Sequence, residues 1–256
     1  MHCAFAVSIP SYPISWADFP RLSLPHPWSC SWCQHLDVAG CVVPLSRPVK
    51  ILEVTLDSHL TFAKHVVDIW KACSFHMHAL RHIRPCLTDD VAKTIVSALV
   101  GSRLDYANAI LVGISDKNIT KLQHTQNTLA RIVTRKYERR GVTHSLKNLH
   151  WLPIKWRIDY KIAVTTYKLI TTGQPQYLCS RIERHSHTLK RSLRNVDATH
   201  NSLRLVVPAT KTVIGTRAFR SAAPDIWNKL PDDIVKSPSL LSFRNKLKTH
   251  YFWLAF

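Results

Sequence analysis

Glycine is scarce in this chain, with six among 256 residues. That argues against turn-rich, all-β architectures and for helices. Gly101, Gly113, Gly141 and Gly173 stand where helical periodicity ends. Acidic residues are also few, 16 against 35 lysines and arginines. No apolar run reaches the roughly 18 residues a spanning helix needs, so a membrane is not an expected partner. The apolar stretch from Ala4 to Ile9 lacks the basic flank of a secretory signal. The seven cysteines (Cys3, Cys30, Cys33, Cys41, Cys73, Cys86, Cys179) are odd in number and irregularly spaced. They read as reduced, intracellular thiols rather than a disulfide framework.

The chemistry-bearing motifs are missing as well. There is no phosphate-cradling glycine loop, nucleophile elbow or two-histidine metalloprotease motif. Two-metal nucleotidyl transfer needs acidic ligands for both ions. Only Asp89-Asp90, after Thr88, and Asp232-Asp233, after Pro231, are paired, and both open helical runs. Acidic side chains there complement the free N–H groups and dipole of a helix start. Cys30 and Cys33 have the spacing of half a zinc site, but no second pair follows at suitable distance. His78 and His82 share a helix face without a third ligand. No catalytic group, metal or cofactor is expected.

What the chain does have is a core and a charge. Hydrophobic residues make up 46% and the formal net charge is +19. Residues 1–50 hold Arg21, Arg47 and Lys50 against Asp18 and Asp37, so almost all of the excess lies beyond them. Charge on that scale points to a polyanionic partner, RNA or DNA ahead of a membrane surface.

Taken in order, residues 1–35 are broken by Pro10, Pro13, Pro20, Pro25 and Pro27 and read as an irregular, disordered leader. Residues 36–57 have β character and read as a small hairpin, with Val49 to Asp57 as one strand ended at Asp57-Ser58, a turn or helix-cap signal. From Ser58 the period turns helical. One helix runs to Ile83, stopped by Pro85. A second is capped by Thr88 and stopped by Gly101, and a third covers Ser102 to Val112. Ser115 and Asp116 cap a helix from about Lys117 to Lys136, and Thr143 caps a short one through Leu149. Pro153 opens a helix that reaches about Thr171 and ends at Gly173. Gln174 to Arg181 has room for a short helix, His185 to Asn195 is a basic loop, and Leu203 to Pro208 is extended. Two short helical pieces broken by Pro224 follow, then a helix capped by Ser237-Pro238 with Leu240, Leu241, Phe243 and Leu247 inside. The fold class is therefore mainly α: a multi-helix bundle with a small N-terminal β-hairpin and an irregular leader.

Several segments form an ordered set. They are Leu52 to Phe62, Gly101 to Tyr106, Lys121-Leu122-Gln123 with Gln126-Asn127, Leu149 to Pro153, Arg157 to Ile162, and Ala218-Phe219 with Ala222 to Pro231. Together they resemble the C-terminal part of LINE-type (non-LTR) retrotransposon reverse transcriptases of the Jockey and chicken-repeat kind, over roughly residues 36–256. The resemblance implies a primer-grip region at 36–57, a helical thumb at 58–173 and a C-terminal extension at 174–256. It implies that Leu52, Val54, Leu56 and Asp57 belong to the primer-grip strand. Glu53 stands where the family usually has glycine, and Ala107 where cysteine is common. Fingers, palm and endonuclease have no counterpart in the chain, so the implied object is a truncated copy, inactive as a polymerase alone.

The expected partner is RNA or an RNA–DNA duplex, bound through phosphates, with a palm-containing polymerase chain as a further possibility. Lys121, Arg131, Arg135, Arg139, Arg140, Arg157 and Lys161 are the candidate contacts. The alternatives are a protein-interaction module anchored by Trp151, Trp156 and Trp227, or a remnant without function.

Overall fold

The computed structural model describes residues 35–38, 41–44, 48–135, 141–184 and 203–256. The leader, Cys30, Cys33, Arg139, Arg140 and the basic loop at 185–195 lie outside them. The chain divides into two units, residues 1–46 and 47–256. In the first, β1 (His35–Val38) pairs antiparallel with β2 (Cys41–Pro44), His35 opposite Pro44 and Val38 opposite Cys41.

In the second unit, β3 (Val49–Ile51) pairs antiparallel with β4 (Val54–Leu56). The pattern of residues 36–57 suggests one hairpin, but the backbone makes two. The run from Val49 to Asp57 folds on itself at Leu52 and Glu53, both at positive φ (45° and 62°). Two left-handed residues in a two-residue loop match the right-handed twist of the strands they join. Leu52 is thus a turn residue, 82% exposed, and not part of a strand.

The rest of the unit is mainly helical. Asp57 does not cap a helix but shapes the linker before one. Its carboxylate accepts from the N–H groups of Thr61 (2.9 Å) and Phe62 (2.8 Å), and α1 starts later, at Ala63–Ile83, with Phe62 as its N-cap and no side-chain bond there. Two backbone donors of that linker are thereby fixed, with Leu60 and Phe62 at positive φ. Thr88 caps α2 (Asp89–Val96), its Oγ1 accepting from Val91 N. Gly101 does not stop that helix. A π turn at Ser97–Gly101 carries it into α3 (Ser102–Asp105), and the break comes at Ala107, at φ 49°. A 3-10 turn, Asn108–Leu111, replaces the rest of the expected third helix.

Helix α4 (Asp116–Thr134), α5 (Thr143–Asn148) and α6 (Ile154–Thr172) follow the periodicity closely. Pro153 precedes α6, and Gly173, at φ 67°, closes it by donating its N–H to Leu169 O. Next come α7 (Gln176–Cys179), α8 (Val213–Arg217), α9 (Phe219–Asn228), α10 (Asp232–Val235) and α11 (Leu240–Ala255). Pro224 lies inside α9 instead of breaking it. The lost bond to the Arg220 carbonyl is outweighed by burial of Ala222, Ala223, Ile226 and Trp227 around it. Ser239, not Ser237, caps α11, accepting from Ser242 N, so Leu241 points outward at 68% exposure.

One core runs through the unit, and α6 is its axis. Ile158 and Ile162 of α6, Leu122 and Leu129 of α4, and Phe243 and Leu247 of α11 belong to one apolar cluster. Helices on both sides of Gly173 therefore share that core. No described helix is long and apolar enough to cross a membrane.

Candidate nucleic-acid interface

The approach to α6 is the most heavily wired part of the chain. A helix start leaves N–H groups without intrahelical partners, and Pro153 supplies none. Glutamines of α4 fill that need. Gln123 Oε1 accepts from Ile154 N (2.9 Å), and Gln126 Nε2 donates to Leu152 O (2.8 Å). The two amides are joined, Gln123 Nε2 donating to Gln126 Oε1 (3.1 Å) and to Asn127 Oδ1 (2.8 Å). Gln126 is wholly buried. One turn into α6, Arg157 forms a two-pronged pair with Asp105 of α3, Nε to Oδ1 at 2.8 Å and Nη2 to Oδ2. Tyr106, next to Asp105, donates its hydroxyl to Leu52 O (2.8 Å) and so ties the hairpin to α3. Segments centred on residues 54, 105, 125, 151 and 158 thus meet through polar contacts.

This wiring divides the candidate contacts. Arg157 is held by Asp105, with its side chain only 20% exposed. Arg135 sits at positive φ at the end of α4, and its guanidinium donates to the carbonyls of Arg84 (2.8 Å) and Leu87 (3.3 Å). Arg84, buried, returns the contact by donating to the carbonyls of Ile132 and Val133. Arginines near a helix C-terminus serve its free carbonyls and its dipole. Arg135 and Arg157 are therefore engaged within the protein.

Lys121 lies over the Trp70 ring, its Nζ 4.8 Å from the centroid. Arg131 is half-buried and Lys161 is exposed, and neither has a polar partner among the described residues. Lys248 of α11 is a further exposed cation, without an ion-pair partner among the described residues, that the sequence pattern did not single out. Val54 and Leu56 pack on the core, and Asp57 holds the N–H groups of Thr61 and Phe62 ahead of α1. Its carboxyl is held below the usual range. Partial burial works against that, and the donors of Thr61 and Phe62 outweigh it.

Comparison of the chain with protein-family models, with curated proteins and with solved structures gives no match.

Trp151, Trp156 and Trp227 pack inward to different degrees, whereas Trp70 and Trp253 are exposed. Trp227 is 2% exposed, donates its indole N–H to Leu203 O (3.0 Å) and stacks on Phe243. Trp156 is half-buried against Tyr251. Trp151 is half-buried beside the polar junction just described. Asp159, about one turn beyond Trp156 on α6, has its carboxyl pushed up to about 6. Burial is the main cause; Lys155 and Lys229 oppose it, and Asp225 adds to it.

Proposed function

We propose that residues 47–256 are a thumb and post-thumb unit of a LINE-type reverse transcriptase that binds RNA or an RNA–DNA duplex through its phosphates. The observation that carries this reading is the meeting of the resembling segments. Asp105, Gln123, Gln126, Leu152 and Arg157, taken from four of them, hold one another in a single junction. That is what a shared fold requires of a set of short motifs. Beside this junction lies Lys161, exposed and without an ion-pair partner among the described residues, in a chain with a net charge of +19. Polymerase chemistry is not assigned to it, since its paired carboxylates open helices, Asp89 pairing with Arg84 and Asp233 with Lys246.

Phosphate-directed binding is weak in sequence preference and steep in salt. An RNA–DNA primer–template duplex, followed by fluorescence anisotropy at low and moderate salt, is expected to lose about tenfold or more in affinity across that range. Lys121→Ala/Lys161→Ala weakens binding at low salt and flattens the salt slope by about one to two. Arg157→Ala acts instead on stability. Affinity independent of salt, or no binding at low salt, removes this reading.

A further inference from the structure

A cleft of about 490 Å³ opens at the junction, within the size range of small-molecule sites. Its walls include Trp151 and Tyr160, both half-buried, which offer flat apolar surface. Lys161 from α6 and Lys248 from α11 also line it, exposed and without ion-pair partners among the described residues. The Asp105–Arg157 pair also lines it and is already neutral, so the two lysines set the sign of the cleft.

The cleft also holds acceptors. Asp105 Oδ1 accepts from Arg157 Nε and from Asn108 Nδ2 (3.4 Å), whereas among the described residues Oδ2 accepts only from Arg157 Nη2. A carboxylate oxygen has room for two donors, and the Asp105 side chain is 47% exposed. One acceptor position therefore faces outward. Asn108 is 4% exposed, and its Oδ1 has no donor. Turning the amide over would set that oxygen against the carboxylate, so the orientation stands. The cleft thus offers positive charge, aromatic surface, and acceptors without a full set of donors among the described residues.

We infer that this cleft takes one unpaired nucleotide, its phosphate on Lys161 and Lys248, its base against Trp151 and Tyr160. An N–H of the base's pairing edge donates to Asp105 Oδ2. Each of the four bases carries an N–H on that edge, so little base preference is expected. A paired nucleotide has spent those N–H groups on its complement, so the duplex itself does not qualify. Stacking on aromatic side chains is the general, sequence-tolerant way of holding such a base. This inference rests on the nucleic-acid reading above and adds an unpaired nucleotide to it.

The test compares the same RNA–DNA duplex blunt and with a short single-stranded overhang, and adds adenosine monophosphate, adenosine and ribose 5-phosphate as separate ligands. The overhang is expected to tighten binding about tenfold, the scale of one stacked base. Lys248→Ala, an exposed change that leaves the fold alone, removes most of that gain and changes blunt-duplex affinity by no more than about twofold. If the nucleotide is taken free rather than on a strand, adenosine monophosphate binds saturably, adenosine and ribose 5-phosphate bind at least several-fold more weakly, and Lys248→Ala lowers that binding. Absence of both the overhang gain and saturable nucleotide binding, or insensitivity of both to Lys248→Ala, overturns the inference. Blunt-duplex binding that persists in that case leaves the broader reading standing. Its loss beside retained nucleotide binding sinks the broader reading alone.

Discussion

Glu53 occupies a left-handed position, φ 62°, in the two-residue turn between β3 and β4. Its ion pair with Lys50 (2.6 Å) lies on the surface, where such pairs contribute little. A side chain at that φ costs about 1 kcal/mol relative to glycine. Glu53→Gly is therefore expected to stabilise the protein by about 0.5–1 kcal/mol, read as a rise in the urea midpoint at constant slope; a fall in the midpoint would show that φ does not control this position. Asp159 makes a pH prediction. Burial raises its carboxyl from 3.8 to about 6, so the folded state holds this proton more tightly than the unfolded chain does. Its contribution is favourable at low pH and is lost as pH rises through that window. Asp159→Asn should flatten the decline and add about 1–2 kcal/mol at pH 7. Parallel urea-midpoint profiles of parent and variant between pH 4 and about 7 would contradict it.

At the scale of elements, α6 depends on what is placed at its start. Its apolar period, its preceding proline and its terminal glycine are all local, and the helix matches them within a residue or two. The wiring of its first turn comes from α4, about 30 residues away, through Gln123 and Gln126. Glutamines at such spacing on a basic helix read as surface residues; Gln126 is buried because the Leu152 carbonyl has no other donor. Gln126→Ala leaves that carbonyl unpaired inside the core, while Gln123 keeps its bonds to Asn127 and Ile154. The expected cost is about 2–3 kcal/mol, measurable by chemical unfolding, whereas the same change at the exposed Lys147 on α5 costs under about 0.5 kcal/mol. The π turn at Ser97–Gly101 is the opposite case. Gly101 signals a stop locally, and the packing of Val96, Val100 and Leu104 holds the chain helical across it.

At the scale of the molecule, a net charge of +19 acts on stability and on binding with opposite dependence on salt. Self-repulsion destabilises a compact, highly charged chain, and salt screens it. The thermal midpoint of the free protein should rise by a few degrees between about 50 and 500 mM salt, over the same range in which duplex affinity falls. A midpoint that falls with salt would mean that ion pairs such as Arg157–Asp105 outweigh the repulsion.

The sequence by itself determined the class of the fold, most helix ends, and the sign and scale of the charge. Each is a local or additive property: a periodicity, a proline or glycine at an end, a sum over residues. Only the tertiary structure decided which of the cations are free. Arg135 and Arg157 look like Lys161 in a one-dimensional reading of the chain. Arg135 closes α4 and Arg157 is clasped by Asp105, because carbonyls and a carboxylate from distant segments must be neutralised where the helices pack. The hairpin divided for the same kind of reason. Alternation marks a run as β, but where it folds back is set by the backbone angles at Leu52 and Glu53 and by the Tyr106 hydroxyl held on the Leu52 carbonyl.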